Sequence, residues 1–167
     1  MSTPATTPLG PRCSAVLAWA IFLLAAVGVV LSVISVVSHY RTTATEFCDI
    51  GETFNCDIVN RSIYSTIGPV PVAGIGVAGY AALMALAHLA RNRQKALIMF
   101  AAAVAGLAFA LYLTYIEAYV LVTWCIVCLG SLAMISVITL LSAWQTVRLW
   151  RLRQTGSQKS ESGHLAF

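Results

Sequence analysis

Four long apolar runs, separated by shorter polar stretches, account for most of the chain. The first, Ser14 to Ser38, contains no charged residue and is dense in Ala, Leu, Val and Ile. A membrane helix needs about 20 apolar residues, so this run can cross a bilayer with some tilt. The second extends from about Val70 to Leu89, the third from about Ala96 to Tyr115, and the fourth from about Val122 to Leu141. Arg12 precedes the first run, which raises a cleaved signal peptide as a rival reading. The apolar part of such a peptide is usually ~7–15 residues, so the length favours a retained helix.

Composition agrees with that pattern. Of 167 residues, 59% are hydrophobic and only 10% charged, against about 25% charged in soluble chains. These values exclude a water-soluble enzyme, a disordered chain and a nucleic-acid module. They predict an all-α integral membrane protein, a bundle of four transmembrane helices. Residues 1–12, with Pro4, Pro8 and Pro11, read as a flexible lead. Residues 13–147 form the membrane domain, and 148–167 a basic tail expected to be disordered.

The net charge of +4 acquires meaning once the charges are placed. Of the ten Lys and Arg residues, only Arg41 and Arg61 lie outside Arg12, the Arg91/Arg93/Lys95 knot and the tail. With four spans, that knot and both termini share one side. The positive-inside rule makes this side cytoplasmic, with both termini inside. Acids cluster opposite, with Glu46, Asp49, Glu52 and Asp57 in an outer loop over residues 39–69 and Glu117 in a second, short turn. His88 is the one ionisable side chain read as lying within a span. That scarcity counts against a transport path.

Helices in lipid gain little from hydrophobic burial and need small residues for close approach. Ala73, Gly76 and Gly79 beside Tyr80, and Ala102 with Gly106, supply them. In the outer loop, Ile58, Val59, Ile63 and Ile67 with polar residues between predict a short amphipathic helix at the membrane surface. Asn60-Arg61-Ser62 matches a glycosylation sequon, a pattern common enough by chance to note only.

Candidate chemistry rests on cysteine. Cys13 falls on the reducing side, where a free thiol is unremarkable. Cys125-Ile126-Val127-Cys128 opens the fourth span at its outer end. Spacing i, i+3 puts both sulfurs on one helix face, and the positive end of the helix favours a Cys125 thiolate. Cys128 lies one turn deeper, where a lipid-soluble electron carrier would reach it. A zinc site would need Cys48 and Cys56 as well, and a lipid-facing helical pair makes a poor tetrahedral cage; no metal is expected. Cys48 and Cys56 either staple the outer loop or shuttle electrons between a soluble dithiol and the membrane pair. Two pairs on one side favour the shuttle.

The four spans, the pair Cys48 and Cys56 followed by Ser62, and the C-I-V-C motif resemble the vitamin K epoxide reductase family. The stretch Gly68 to Tyr80 is similar to the second-helix region of its prokaryotic members, and the likeness covers roughly residues 14–145. The DsbB family also has four spans and two cysteine pairs, but in the reverse order. The resemblance implies that Cys128 faces a quinone, Cys125 resolves it, Cys56 exchanges with Cys125, and Cys48 meets an external thiol. It implies that Ser62 supports the loop helix near the site. At two positions where the animal enzymes use an asparagine and a tyrosine to hold substrate oxygens, an ungapped alignment gives Val72 and Leu132. Neither can donate a proton, so quinone reduction is favoured over epoxide opening.

The expected function is that of a thiol:quinone oxidoreductase in a bacterial inner membrane, its site on the extracytoplasmic side. Its co-substrate would be a menaquinone, ubiquinone or vitamin K type quinone. With no thioredoxin-like domain fused to it, the chain would meet a DsbA-like thioredoxin-fold partner in trans. Two alternatives stand beside this: an epoxide or quinone reductase of the endoplasmic reticulum, and a membrane scaffold or transporter subunit with a stapled loop. The resting pairing stays open between Cys48–Cys56 with Cys125–Cys128 and a crossed Cys56–Cys125 bond.

Overall fold

The structure, a computed structural model, describes residues 11–41, 49–50, 53–89 and 93–164. Cys48, Glu46 and Arg91 lie outside the described residues. Its elements are α1 (Pro11–Tyr40), β1 (Asp49–Ile50), β2 (Phe54–Asn55), α2 (Cys56–Asn60), a 3-10 turn (Ile63–Ser65), β3 (Thr66–Ile67), β4 (Val70–Pro71), α3 (Val72–Leu89), α4 (Arg93–Ile116), a π turn (Glu117–Leu121) and α5 (Ile126–His164). Among the described residues, four stretches are long and apolar enough to cross a membrane: Ala15–Tyr40, Val72–Leu89, Gln94–Leu121 and Ile126–Arg151. In hydrocarbon no water can pair with the backbone, so helices are the form such runs must take.

Pro11 opens α1, at the position where its missing N–H costs nothing. α1 packs against α3 and α5, and α4 packs mainly against α5. The core consists of Ile21 and Ala25, Tyr80, Leu83 and Ala87, Met99 and Ala103, and Ile135 and Ile138, drawn from all four long helices. Close approach depends on a residue the sequence pattern did not single out. A Cβ on Gly28 of α1 would overlap the Tyr80 ring. Gly76 admits Ser32, whose Oγ would lie 2.9 Å from an added Cβ, and Gly106 admits Ile135. Gly79, expected to serve packing, has no atom within 4 Å of such a Cβ. It widens a cavity instead.

Hydroxyl groups tie the helices across the bundle. Tyr80 Oη donates to the Ser131 carbonyl at 2.7 Å, joining α3 to α5. Thr139 Oγ1 reaches the Ala103 carbonyl at 3.3 Å, and Thr146 Oγ1 the Ala96 carbonyl at 3.4 Å, joining α5 to α4. Such bonds contribute about 0.6 kcal/mol each in membrane proteins.

Three boundaries differ from the sequence pattern. The short helix after Cys56 ends at Asn60, so Ile63 and Ile67 fall in the 3-10 turn and β3, both exposed. Gly68, with φ +62, allows the tight turn from β3 to β4. The third span continues through the π turn to Leu121, and the fourth starts at Ile126. Residues 118 to 122 before the break and 126 to 129 after it are all apolar, so hydropathy does not locate it. The segment 148–164, expected to be disordered, continues α5 as helix. Its Arg, Lys, Leu and Gln residues are good helix formers.

Candidate active site

The outer end of the bundle is assembled around Cys125. This residue immediately precedes α5, and its carbonyl accepts the first intrahelical bond from Leu129 N–H at 3.0 Å. Its sulfur accepts the Cys128 N–H at 3.3 Å. Cys125 therefore caps α5 in the manner of serine or asparagine, with sulfur in place of oxygen. The hydrogen bond from the Cys128 side chain holds the Cys125 thiol below its ordinary pKa, helped by the Cys128 and Val127 backbone N–H groups; burial and the Glu117 charge oppose this.

Glu117 is the residue that sequence reasoning misplaced. The charge pattern predicts it in a short outer turn, yet it is 2% exposed, at the end of the third span. Its Oε2 accepts the Cys125 backbone N–H at 3.1 Å, and its carboxyl also meets the Cys128 side chain. The backbone explains why it turns inward. The π turn ends at Val122 in left-handed geometry (φ 51), with the Val122 and Thr123 N–H groups both bonded to the Glu117 carbonyl. A lone acid flanked by apolar runs was the available signal, since ionisable residues at membrane depth usually mark function.

The loop is fastened over this end. Asn55 N–H donates to the Trp124 carbonyl at 3.1 Å, and Trp124 N–H to the Thr53 carbonyl at 3.0 Å. Asn55 Oδ1 accepts Ile58 N–H at 3.0 Å and so caps α2. These bonds place Cys56, 2% exposed, in one buried cluster with Cys125, 0% exposed; Val59 and Val127 complete it and Cys128 packs against it. Cys56 is disulfide-bonded, whereas Cys125 and Cys128 are free thiols. The crossed Cys56–Cys125 bond is therefore not the arrangement here. Ser62 Oγ donates to the Val59 carbonyl at 2.9 Å, closing the end of α2. His39 Nδ1–H donates to the Asn60 carbonyl and ties α2 to α1.

Beneath α2 lies a cavity of about 410 Å³, walled by all four long helices. Small-molecule sites commonly occupy about 300–1,000 Å³ with apolar walls and few polar groups. Here Cys128 and Glu117 lie on the wall with Ser32, Ser35, His39, Asn60 and Ser62, and the remainder is largely apolar. Val72 forms part of that apolar wall, whereas Leu132 packs against the core. The Asn60 side chain of the sequon is buried on the cavity wall, so its amide does not face outward. Among the described residues, no three His, Cys, Asp or Glu side chains gather as a metal site would require.

Cys56, Cys125, Cys128 and Ser62 thus meet at one end of the bundle, and Cys48 lies outside the described residues. A comparison with curated proteins returned no match. The family model described as the vitamin K epoxide reductase family matches residues 19–143, most of the chain. The chain belongs to that family, and it is accordingly a multi-pass membrane oxidoreductase of quinone-linked disulfide chemistry.

Proposed function

We propose that the chain oxidises a thioredoxin-fold, DsbA-like partner in trans and passes the electrons to a lipid quinone. The observation that carries this reading is the shared burial of Cys56 with Cys125, beside a Cys128 that lines an apolar cavity. One cysteine of the loop thus packs with the membrane pair, and Cys128 of that pair borders a space suited to a ring.

In the forward reaction the Cys125 and Cys128 thiols lose two electrons and two protons and form a disulfide. The quinone takes both and leaves as quinol. The Cys125–Cys128 disulfide is then reduced by exchange: Cys56 as thiolate attacks Cys125, Cys48 attacks Cys56, and the loop disulfide forms as the membrane pair returns to thiols. Reduction of the loop disulfide by the partner's dithiol completes the cycle. Ser62 supports the end of α2 so that Cys56 stays over Cys125. The active end faces the extracytoplasmic side, with a bacterial inner membrane as its setting. Val72 and Leu132 place no proton donor at the two positions where the animal enzymes hold substrate oxygens, which favours a quinone over an epoxide.

Thiol trapping of the purified, fully reduced chain in lipid vesicles tests this. Addition of a menaquinone or ubiquinone analogue is expected to convert the free thiols to disulfides, and Cys128→Ala to abolish the conversion. A cysteine redox state unchanged by quinone would sink the proposal, and rapid turnover of the epoxide would reverse the preferred substrate.

A further inference from the structure

Among the described residues, the cavity wall contains a buried donor that has no partner within the bundle. Asn60, the last residue of α2, is 7% exposed, and its side-chain Nδ2 is buried without a hydrogen-bond partner among the described residues. A buried amide N–H left unpaired is expensive, and native structures contain few of them. Two other polar wall groups already have partners within the protein: Tyr80 Oη bonds Ser131, and Ser62 Oγ bonds the Val59 carbonyl. The Asn60 backbone is itself pinned, since its carbonyl accepts from His39 Nδ1 on α1. Asn60 is therefore tethered to α1 at the wall, and its side-chain donor has no partner among the described residues.

We propose that the Asn60 side-chain amide donates a hydrogen bond to one carbonyl oxygen of the quinone, and so positions the ring beside Cys128. This rests on the thiol:quinone reading above and adds the residue that selects an oxygen-bearing ring. An apolar cavity accepts many flat hydrocarbons, but a buried donor favours the ligand that satisfies it. As the ring gains electrons its oxygen gains negative charge, so the same bond strengthens along the reaction.

The test uses the full chain in lipid vesicles with two probes: a short-tailed naphthoquinone and the naphthalene carrying the same tail. Asn60→Leu removes the donor while nearly keeping the side-chain shape, and Asn60→Val removes it with a shorter side chain. Both variants are expected to bind the naphthoquinone roughly tenfold more weakly, the scale of one lost buried hydrogen bond. Both should bind the naphthalene as the native chain does, and exchange between Cys56 and Cys125 with an added dithiol should proceed normally. Native-like naphthoquinone affinity in both variants would overturn the assignment, and so would an equal loss for both probes, which marks a purely structural role. If the native chain itself binds no naphthoquinone, the functional reading falls together with the inference.

Discussion

Cys125 is the residue on which the site turns, and two neighbours pull its proton affinity in opposite directions. The Cys128 side chain lowers it and the Glu117 charge raises it. With the lower folded-state value, the Cys125 thiolate persists to lower pH than an ordinary cysteine, and is lost as pH falls through that value. Cys128→Ala should therefore move the Cys125 titration to higher pH, and Glu117→Gln should move it lower. Ultraviolet thiolate absorbance of the protein with its loop disulfide intact reads both shifts, and a common direction for the two would contradict this geometry. Glutamine can still accept the Cys125 N–H, so Glu117→Gln should remain folded, whereas Glu117→Leu leaves that buried donor unpaired at a cost of about 1–3 kcal/mol. The cysteine pairs stand out in the sequence because their type and spacing carry chemistry, whereas Ser62 is pointed to only by the family resemblance. Glu117 does not stand out, because its inward orientation follows from a π turn that no residue type announces. For Asn60 the sequence offers only a sequon of a kind common by chance; its burial depends on where α2 is tethered.

At the level of elements, hydropathy placed all four spans but not their ends. An apolar run records depth in the membrane, and the chain can leave and re-enter a helix without leaving apolar surroundings, as it does at Val122. Helix packing was legible in Gly76 and Gly106, yet the tightest approach uses Gly28, hidden among the Ala and Val of α1. Gly28→Ala would force α1 from the Tyr80 ring. A destabilisation of about 1–3 kcal/mol is expected for such overpacking, measured by denaturant unfolding in mixed micelles. Adding Tyr80→Leu should recover part of that loss, because the two side chains meet directly. An unchanged midpoint for Gly28→Ala would mean that α1 and α3 are not held at this distance.

The molecule as a whole has two chemically distinct ends. Trp19 and Phe22 near the start of α1 meet His88 near the end of α3, and Thr146 late in α5 reaches Ala96 early in α4. Arg93, Lys95, Arg148 and Arg151 therefore belong to one end, while Trp124 and the strand at Phe54 meet at the other. The proposed orientation makes a definite labelling pattern. In a background lacking native cysteines, Ile63→Cys and Val122→Cys, both at highly exposed positions, should react with a membrane-impermeant maleimide on whole cells. Lys95→Cys should react only after the membrane is opened, and the reverse pattern would invert the topology.

The sulfur cap on α5 has an electrochemical consequence. A helix cap contributes about 1 kcal/mol, and only the reduced form offers a thiolate as the cap. Closing the Cys125–Cys128 disulfide weakens that acceptor, so the fold favours the reduced pair. For a two-electron couple, that preference raises the reduction potential of the membrane pair by roughly 20 mV. The first turn of α5 thus helps the buried pair to draw electrons inward from the loop, which leaves the quinone to supply the rest of the drop.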